Sequence, residues 1–427
     1  MTIRFLAVVC GFVFLEALSV SPLALAADAP VHWVSAWGTA LQPIPQRADL
    51  PSLYRAPKVA GRTMRQIIYP MLSGKSARLH ISNAYATTPL VIQALSIAPS
   101  QGGAAVQQAK EAHVTFAGQT SVVVPPGRAL DSDPISIEID SGAPYAISSY
   151  MGSEQRLSAW HRVSSQINYV SLPGNYVSHA AAAPFATRFT QYAWISGLSV
   201  AAPASSTSFV AIGDSITDGM RSSLNQNRRW PDALARRLAR DGNRSIGVVN
   251  LGISGNRLLS DSPCYGDALE RRFGPDVLGR PAVKTVILLI GINDINFADM
   301  PPHTGLDCDF PHTRVTAASL IEGYRRIIAT ARRHGIRLIG ATLTPASLPP
   351  AREGIRTAVN QWIRSSREFD GVIDFDLALR DAAEPGRLRR AYDSGDHIHP
   401  GDAGYEAMAQ AIDLKEIAAP IAHNVGG

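Results

Sequence analysis

The chain has 427 residues, of which 46% are hydrophobic and 18% are charged. This composition allows a sizeable core and excludes a disordered chain, and the length allows two domains or one large domain. The formal net charge of +5 is spread along the sequence without a dense Lys/Arg block, so we expect no nucleic-acid partner.

The first 26 residues have the pattern of a secretory signal peptide. Arg4 supplies positive charge, residues 5–15 form an apolar run, and residues 24–26 read Ala-Leu-Ala, a small-x-small cleavage signal. Glu16 interrupts the apolar stretch, whereas a bilayer span needs about 20 apolar residues. We therefore expect a secreted or periplasmic protein whose mature chain has no integral membrane span.

Two cysteines, Cys264 and Cys308, remain after removal of the signal, which contains Cys10. In an oxidising compartment an even pair predicts a disulfide, and two buried free thiols are the alternative. The Cys and His spacings fit no zinc site.

Residues 27–200 have the texture of a β-rich N-terminal domain. Stretches such as TMRQIIYPML and DPISIEID are rich in Ile, Val, Thr and Tyr, and turn residues separate them. Several short strands at this spacing are typical of a β-sandwich or jelly-roll. Residues 201–207 are small and polar with one proline, which predicts a linker.

Six aromatic residues of this region lie at or near strand positions. They could form a sugar-stacking face, or they could be core and interface residues that shape a cleft. They are Trp33, Trp37, Tyr69, Tyr85, Tyr150 and Trp160.

Strands and helices alternate in residues 208–427. The run VKTVILLIGIND is typical of a strand buried on both faces, and PDALARRLAR is an amphipathic helix with proline in its first turn. The pattern predicts an α/β domain with a parallel sheet between two helix layers. Ligands of such sheets bind beyond the carboxyl ends of the strands.

Polar residues follow the predicted strand ends in four blocks, which read GDSITDG, NLGISGN, GIND and DHIHP. Their identity and order resemble the motif blocks of the SGNH (GDSL) hydrolase family over roughly residues 208–412, about half of the chain. The β-rich region is similar in texture to the extra domain that precedes this hydrolase in some exported members.

A reactive serine explains the residue types of the first and last blocks. A serine hydroxyl is a weak nucleophile and needs an adjacent base. His399 is the candidate base for Ser215, and Asp396, three residues before His399, is the candidate to orient its imidazole. The family resemblance implies the same three catalytic roles.

The resemblance also implies an oxyanion hole. Its donors are the backbone N–H groups of Ser215 and Gly255 and the side-chain amide of Asn293. Fixed donors of this kind stabilise the charge that develops on the substrate oxygen.

Neighbouring acids and one histidine compete for some of these roles. Asp376 and Asp393 are alternatives to Asp396, but Asp376 fits a helix cap and Asp393 lies too far before His399 for the DxxH spacing. We expect His397 at the surface, Asp214 as a brace for the serine turn, and Asp294 in a structural role.

These patterns predict an exported serine esterase that removes short acyl groups, such as O-acetyl on carbohydrate, through an acyl-enzyme, with no metal and no cofactor. The alternatives are a lipase or lysophospholipase, and acyl transfer to an acceptor other than water. A binding protein on an inactive hydrolase scaffold is disfavoured because no reactive residue is lost. Residues 260–279 and 297–313 are the predicted specificity segments.

Overall fold

The computed structural model describes residues 31–45, 55–298 and 312–418. The predicted signal peptide and Cys308 lie outside these ranges. The signal peptide and the Cys264–Cys308 disulfide therefore stay predictions.

The first part of the described chain is built from antiparallel β-strands, as the sequence predicts. Their bounds are β1 Val31–Gly38, β2 Gln42–Pro43, β3 Arg62–Ile68, β4 Ala77–Ser82, β5 Leu90–Gly102, β6 Ala105–Val106, β7 Ala112–His113, β8 Val122–Val124, β9 Ala129–Asp131, β10 Tyr145–Met151, β11 Ala159–Trp160, β12 Asn168–Pro173, β13 Thr187–Phe189 and β14 Ile195–Pro203.

Two sheets of this β-rich region bury apolar side chains in a common core. One sheet has the order β1-β14-β4-β9, and the other has the order β13-β12-β3-β10-β5-β6, with β7 and β8 paired to β5. Leu79 of the first sheet and Ile147 of the second are both fully buried in that core. The β-rich region is confirmed, whereas its sandwich or jelly-roll arrangement stays a prediction.

Of the two alternatives for the six aromatic residues, the core interpretation holds for Trp37 and Trp160, which cannot belong to a sugar-stacking face. Trp37 is 8% exposed and Trp160 is fully buried. Trp37 packs edge-on against Tyr192, with ring centroids 5.1 Å apart. These two indoles therefore contribute to the interior of the β-rich region and not to an open binding face.

The second part of the chain contains a parallel sheet and nine α-helices within the described residues. The elements are β15 Thr207–Gly213, α1 Ser215–Asp218, α2 Trp230–Arg240, β16 Ile246–Gly252, α3 Leu269–Phe273, β17 Val283–Leu289, α4 Ile292–Phe297, α5 Ala317–Arg333, β18 Arg337–Ala341, α6 Pro350–Ser365, β19 Gly371–Ile373, α7 Phe375–Leu379, α8 Asp402–Gln410 and α9 Leu414–Ala418.

The parallel sheet has the strand order β16-β15-β17-β18-β19, which confirms the predicted parallel α/β arrangement. The apolar runs 209–212 of β15 and 286–289 of β17 are buried throughout, as expected for strands covered on both faces. The two helix layers stay a prediction. Because β15 lies between β16 and β17, residues that follow it lie beside the loops after both neighbours.

The connection between the two regions is shorter than the predicted linker of residues 201–207. Strand β14 continues to Pro203 and β15 begins at Thr207, because Thr207 N–H donates to Ser245 O at 2.9 Å and extends the sheet. Only the turn 204–206 separates the strands, and Ser206 within it is buried.

The β-rich region packs directly on the parallel sheet through β1, which lies against β16. Ser208 Oγ donates to Ser35 O at 3.1 Å. The Arg280 guanidinium donates to Ser196 O at 2.8 Å and to Thr39 O at 3.1 Å. A Cβ at Gly247 would clash with the Ser35 carbonyl oxygen. The two regions therefore share a close interface. Side chains of one region donate to backbone oxygens of the other, and the two backbones approach closely at Gly247.

Among the described residues, the helices are too short or too polar to cross a membrane.

The close approach at Gly247 gives a stability test. We expect Gly247→Ala to lower the free energy of unfolding by about 1–3 kcal/mol, because the added methyl group forces β1 and β16 apart. Gly354→Ala is the control, since Gly354 lies in α6 with open space at its Cβ, and alanine favours a helix by about 1 kcal/mol. Denaturant unfolding of the full chain measures both, and a Gly247→Ala protein as stable as wild type would contradict the interface.

Candidate active site

Ser215 stands on a tight turn directly after β15. Strand β15 ends at Gly213, and Asp214 Oδ1 accepts from Ile216 N–H at 3.0 Å, which caps the four-residue helix α1. Gly219 ends α1 with φ of 92°, in the left-handed region that favours glycine. The turn places Ser215 at the edge of the sheet, where its side chain is close to the surface although the residue is only 4% exposed.

The structure brings Ser215, His399 and Asp396 together. Ser215 Oγ and His399 Nε2 are 2.8 Å apart, and His399 Nδ1 and Asp396 Oδ2 are also 2.8 Å apart. Both contacts are within hydrogen-bond distance. The loop between α7 and α8 supplies both the histidine and the acid, 184 residues after the serine.

Backbone hydrogen bonds within the loop orient the Asp396 carboxylate toward the His399 imidazole. Its Oδ1 accepts from the backbone N–H groups of Ile398 at 3.0 Å and His399 at 2.8 Å. Partial burial raises the pKa of Asp396, but the hydrogen bonds from His399 outweigh burial and hold that pKa well below its usual range. The group is therefore ionised at neutral pH and can stabilise a positive charge on His399.

Gly255 and Asn293, the other two predicted site residues, lie on the loops after β16 and β17. Gly255 has φ of 85°, and a Cβ there would clash with the Tyr265 ring, so the position accepts only glycine. Asn293 is in the first turn of α4, which follows Gly291 at φ of 124°, and is 9% exposed. Positive-φ glycines thus shape both loops.

Three hydrogen bonds connect these loops and the serine turn. Asp218, the last residue of α1, accepts from Ser254 N–H at 2.9 Å and from Ser254 Oγ–H at 2.6 Å. Asn293 Nδ2 donates to Asn256 O at 3.0 Å. Gly255 lies between the two connected residues, so the structure brings the three blocks of candidate donors to one place.

The candidate donors retain hydrogen-bonding capacity. In the described parts of the chain, the backbone N–H groups of Ser215 and Gly255 donate to no protein acceptor. The Asn293 amide has two N–H donors, and its bond to Asn256 uses one. The arrangement can therefore offer three N–H groups to a negatively charged substrate oxygen.

Arg272, which the sequence analysis did not single out, holds the strand ends beneath the site. Its guanidinium is buried and donates to Gly213 O at 2.8 Å and to Leu251 O at 2.9 Å. Its Nε donates to Asn256 Oδ1 at 2.9 Å. One buried guanidinium therefore ties the ends of β15 and β16 together through strong, charge-assisted hydrogen bonds.

Asp214 and Asp294 are buried braces, as the sequence analysis expects. Burial raises the pKa of Asp214 to about 7 and that of Asp294 to about 6. Asp294 accepts from Leu258 N–H at 2.8 Å and from Leu259 N–H at 3.0 Å, and thereby holds the loop after β16.

The competing acids lie elsewhere. Asp393 pairs with the exposed His397, with Oδ2 and Nδ1 2.6 Å apart. Asp376 is not the helix cap that we predicted, because Asp374 caps α7 through Leu377 N–H. Asp376 is instead buried against the guanidinium of Arg356 at 2.7 Å.

Sequence reasoning also missed two residues around the serine turn. Asp218 was visible as an acid within GDSITDG, whereas nothing in the sequence marked His161, which contacts Asp218 from the β-rich region.

Arg221 Nε lies 3.1 Å from Asp396 Oδ2, but its side chain is 60% exposed. Such an exposed pair contributes little to stability.

The buried Asp214 gives a pH test. Its folded-state pKa of about 7 exceeds the unfolded value of about 4, so the stability it contributes is fully present below about pH 4 and is lost as the pH rises toward 7. Asp214→Asn keeps the Oδ1 acceptor and does not titrate. We expect a smaller fall in the free energy of unfolding between pH 5 and pH 8 than in wild type.

The matched control is Asp381→Asn. Backbone N–H groups of Ala383 and Glu384 lower the pKa of this surface carboxyl. Its stabilising effect is therefore constant between pH 5 and pH 8 and is lost only at lower pH. Denaturant unfolding at several pH values measures both variants. An Asp214→Asn protein with the wild-type slope would show that Asp214 does not titrate in this range.

Residues 211–407 match the model of the GDSL-like lipase/acylhydrolase family. This range contains Ser215, Gly255, Asn293, Asp396 and His399. No curated protein matches the chain.

Solved structures are similar over about half of the chain. A GDSL-like lipase from Bacteroides thetaiotaomicron is 18% identical with a TM-score of 0.35, and the match covers 50% of this chain and 89% of that protein. A catalytic mutant of an acetylxylan esterase from Geobacillus stearothermophilus is 23% identical with a TM-score of 0.37, and the match covers 49% of this chain and 94% of that protein.

All four sequence blocks lie within the range of the family match. The first three lie at the carboxyl ends of β15, β16 and β17, and the fourth lies in the loop between α7 and α8. Residues 211–407, slightly less than half of the chain, belong to the GDSL-like lipase/acylhydrolase family.

Proposed function

We propose that this protein is a serine esterase that cleaves carboxylic esters through an acyl-enzyme. The observation that carries the proposal is the pair of 2.8 Å contacts from Ser215 through His399 to Asp396. Nucleophile, base and orienting acid are the parts that acyl transfer by a serine requires.

In the proposed reaction, Ser215 Oγ attacks the ester carbonyl carbon while His399 Nε2 takes the hydroxyl proton. The Asp396 carboxylate stabilises the resulting imidazolium through Nδ1–H. When the tetrahedral intermediate collapses, His399 returns the proton to the leaving alcohol and Ser215 carries the acyl group. A water molecule then attacks the acyl carbon while His399 takes one of its protons. The bond from the acyl carbon to Ser215 Oγ breaks, His399 returns the proton to Oγ, and the carboxylic acid leaves.

The carbonyl oxygen gains negative charge in each tetrahedral intermediate. We assign its stabilisation to the backbone N–H groups of Ser215 and Gly255 and to the second N–H of Asn293. These donors are held by the hydrogen bonds of Asp218 and Asn256 before substrate arrives, and preorganised donors contribute most to transition-state stabilisation.

The proposed substrate is an ester with a short acyl group and a polar alcohol, such as O-acetyl on carbohydrate. A lipase would present a broad apolar patch beside Ser215. The exposed large hydrophobic residues among the described ones are instead dispersed, since only Leu224 follows the serine turn and the others lie on β8, β12, β19 and α7.

We also propose that the protein is exported and that a β-rich domain of residues 27–200 precedes the hydrolase domain of residues 208–427. In that setting a Cys264–Cys308 disulfide would tie the segments 260–279 and 297–313 together. Such bridges stabilise a fold by about 2–4 kcal/mol.

Hydrolysis of p-nitrophenyl esters of increasing chain length, beside an acetylated xylan, tests the function. We expect turnover of p-nitrophenyl acetate and release of acetate from the xylan, and a Ser215→Ala protein without either activity because the nucleophile is gone. Full activity of Ser215→Ala would contradict the mechanism. Activity on long acyl chains alone would favour the lipase alternative, and transfer to an added alcohol faster than hydrolysis would favour an acyltransferase.

Asn293→Ala tests the oxyanion hole. We expect kcat to fall about 100- to 1000-fold with the fold retained, because loss of one donor of this kind removes roughly 3 kcal/mol of transition-state stabilisation. The control is Asn296→Ala on the same helix, whose side-chain oxygen accepts from Arg352. Undiminished ester turnover by Asn293→Ala would remove Asn293 from this role.

A further inference from the structure

A residue of the β-rich region reaches the turn that carries Ser215. His161 directly follows β11, and its Nε2 lies 2.9 Å from Asp218 Oδ1. The two side chains are only 4% and 2% exposed. In this water-poor setting, a contact between an imidazole N–H and a carboxylate is stronger and more directional than one at the surface.

Two backbone carbonyl oxygens also surround the His161 ring. Nδ1 lies 3.0 Å from Ala40 O, and Nε2 lies 3.0 Å from Val163 O as well as close to Asp218. The ring also stacks on Tyr192, at 6.3 Å between centroids. The imidazole therefore has a fixed plane, and the Asp218 carboxylate that it contacts is fixed with it.

Asp218 passes this constraint to both sides of the site. It is the last residue of α1, which Ser215 begins, and its own N–H donates to Asp214 O at 2.8 Å. Its Oδ2 accepts both hydrogen bonds from Ser254, the residue before Gly255. Gly252, which ends β16, packs so closely on the Asp218 backbone that a Cβ would clash. One carboxylate thus joins the serine turn to the Gly255 loop.

We propose that His161 is a positioning residue that the β-rich region contributes to the esterase site. By holding Asp218, it fixes the Gly255 N–H relative to Ser215. The inference rests on the proposed function, since it requires Gly255 to bind the oxyanion. A displacement of about 1 Å between reacting groups lowers a rate by roughly 100-fold, and it acts on kcat more than on KM because the oxyanion exists only after attack.

The test uses the full chain and p-nitrophenyl acetate. His161→Leu removes the donor while keeping a side chain of similar volume. We expect kcat to fall about 10- to 100-fold while KM changes less than about threefold. His161→Gln retains an N–H close to the Nε2 position, and we expect it to recover kcat to within about fivefold of wild type.

A matched control separates positioning from simple loosening of the interface. Ser208 makes a buried contact to Ser35 across the same interface, but at the opposite end of β15 from Ser215. We expect Ser208→Ala to keep kcat within about twofold. An equal loss in Ser208→Ala and His161→Leu would overturn the proposal, because interface strength alone would then explain both.

A folded His161→Leu protein with wild-type kcat would also overturn the proposal, and the Ser215→Ala result would still decide the esterase function separately. If His161→Leu does not fold, Ser254→Ala decides the matter. That change removes one of the two Ser254 hydrogen bonds to Asp218. A fall in kcat of about threefold or more with KM unchanged supports the positioning link, and an unchanged kcat overturns it.

Discussion

Three buried aspartates hold the loops at the carboxyl end of the parallel sheet. Asp214 accepts from the backbone of the serine turn, and both Asp218 and Asp294 accept from the loop after β16. Loop N–H groups at a strand end lack ladder partners, and a carboxylate with two oxygens can satisfy several of them. Burial makes this arrangement costly, and it raises the pKa of Asp214 and Asp294 toward neutrality.

The proposed catalytic pair follows a different physical rule. Asp396 and His399 lie three residues apart in the loop between α7 and α8, where backbone N–H groups and the imidazole keep the partly exposed carboxylate ionised. The buried aspartates thus hold the loops in place. The partly exposed Asp396 stays ionised, and its negative charge can stabilise the imidazolium that the proposed mechanism forms on His399. The difference between the two kinds of aspartate comes from burial and from the number of donors that each receives.

The interface with the β-rich region lies close to this network. Strand β1 packs on β16, the strand that leads into the Gly255 loop, and His161 reaches the helix that begins at Ser215. The hydrolase part therefore depends on its neighbour for packing along one edge of the sheet and for a partner of Asp218.

The sequence by itself determined much of the hydrolase part. Apolar runs such as residues 286–289 identify buried strands because a strand covered on both faces has no polar alternation. The blocks around Ser215 and His399 identify a serine hydrolase because acyl transfer needs those residue types at strand ends. Residue type and short sequence spacing are enough for these predictions. Asp396 and His399, for example, lie only three residues apart.

Only the tertiary structure decided the contacts between distant segments. His161 and Asp218 are 57 residues apart, and Arg272 binds carbonyls 21 and 59 residues away. Nothing local marks such residues, because their partners are backbone atoms or a single acid that the fold brings near. The short turn 204–206 and the buried Trp160 also depend on distant segments. Pairing of Thr207 with Ser245 sets where the chain turns, and the core of the β-rich region covers the Trp160 ring.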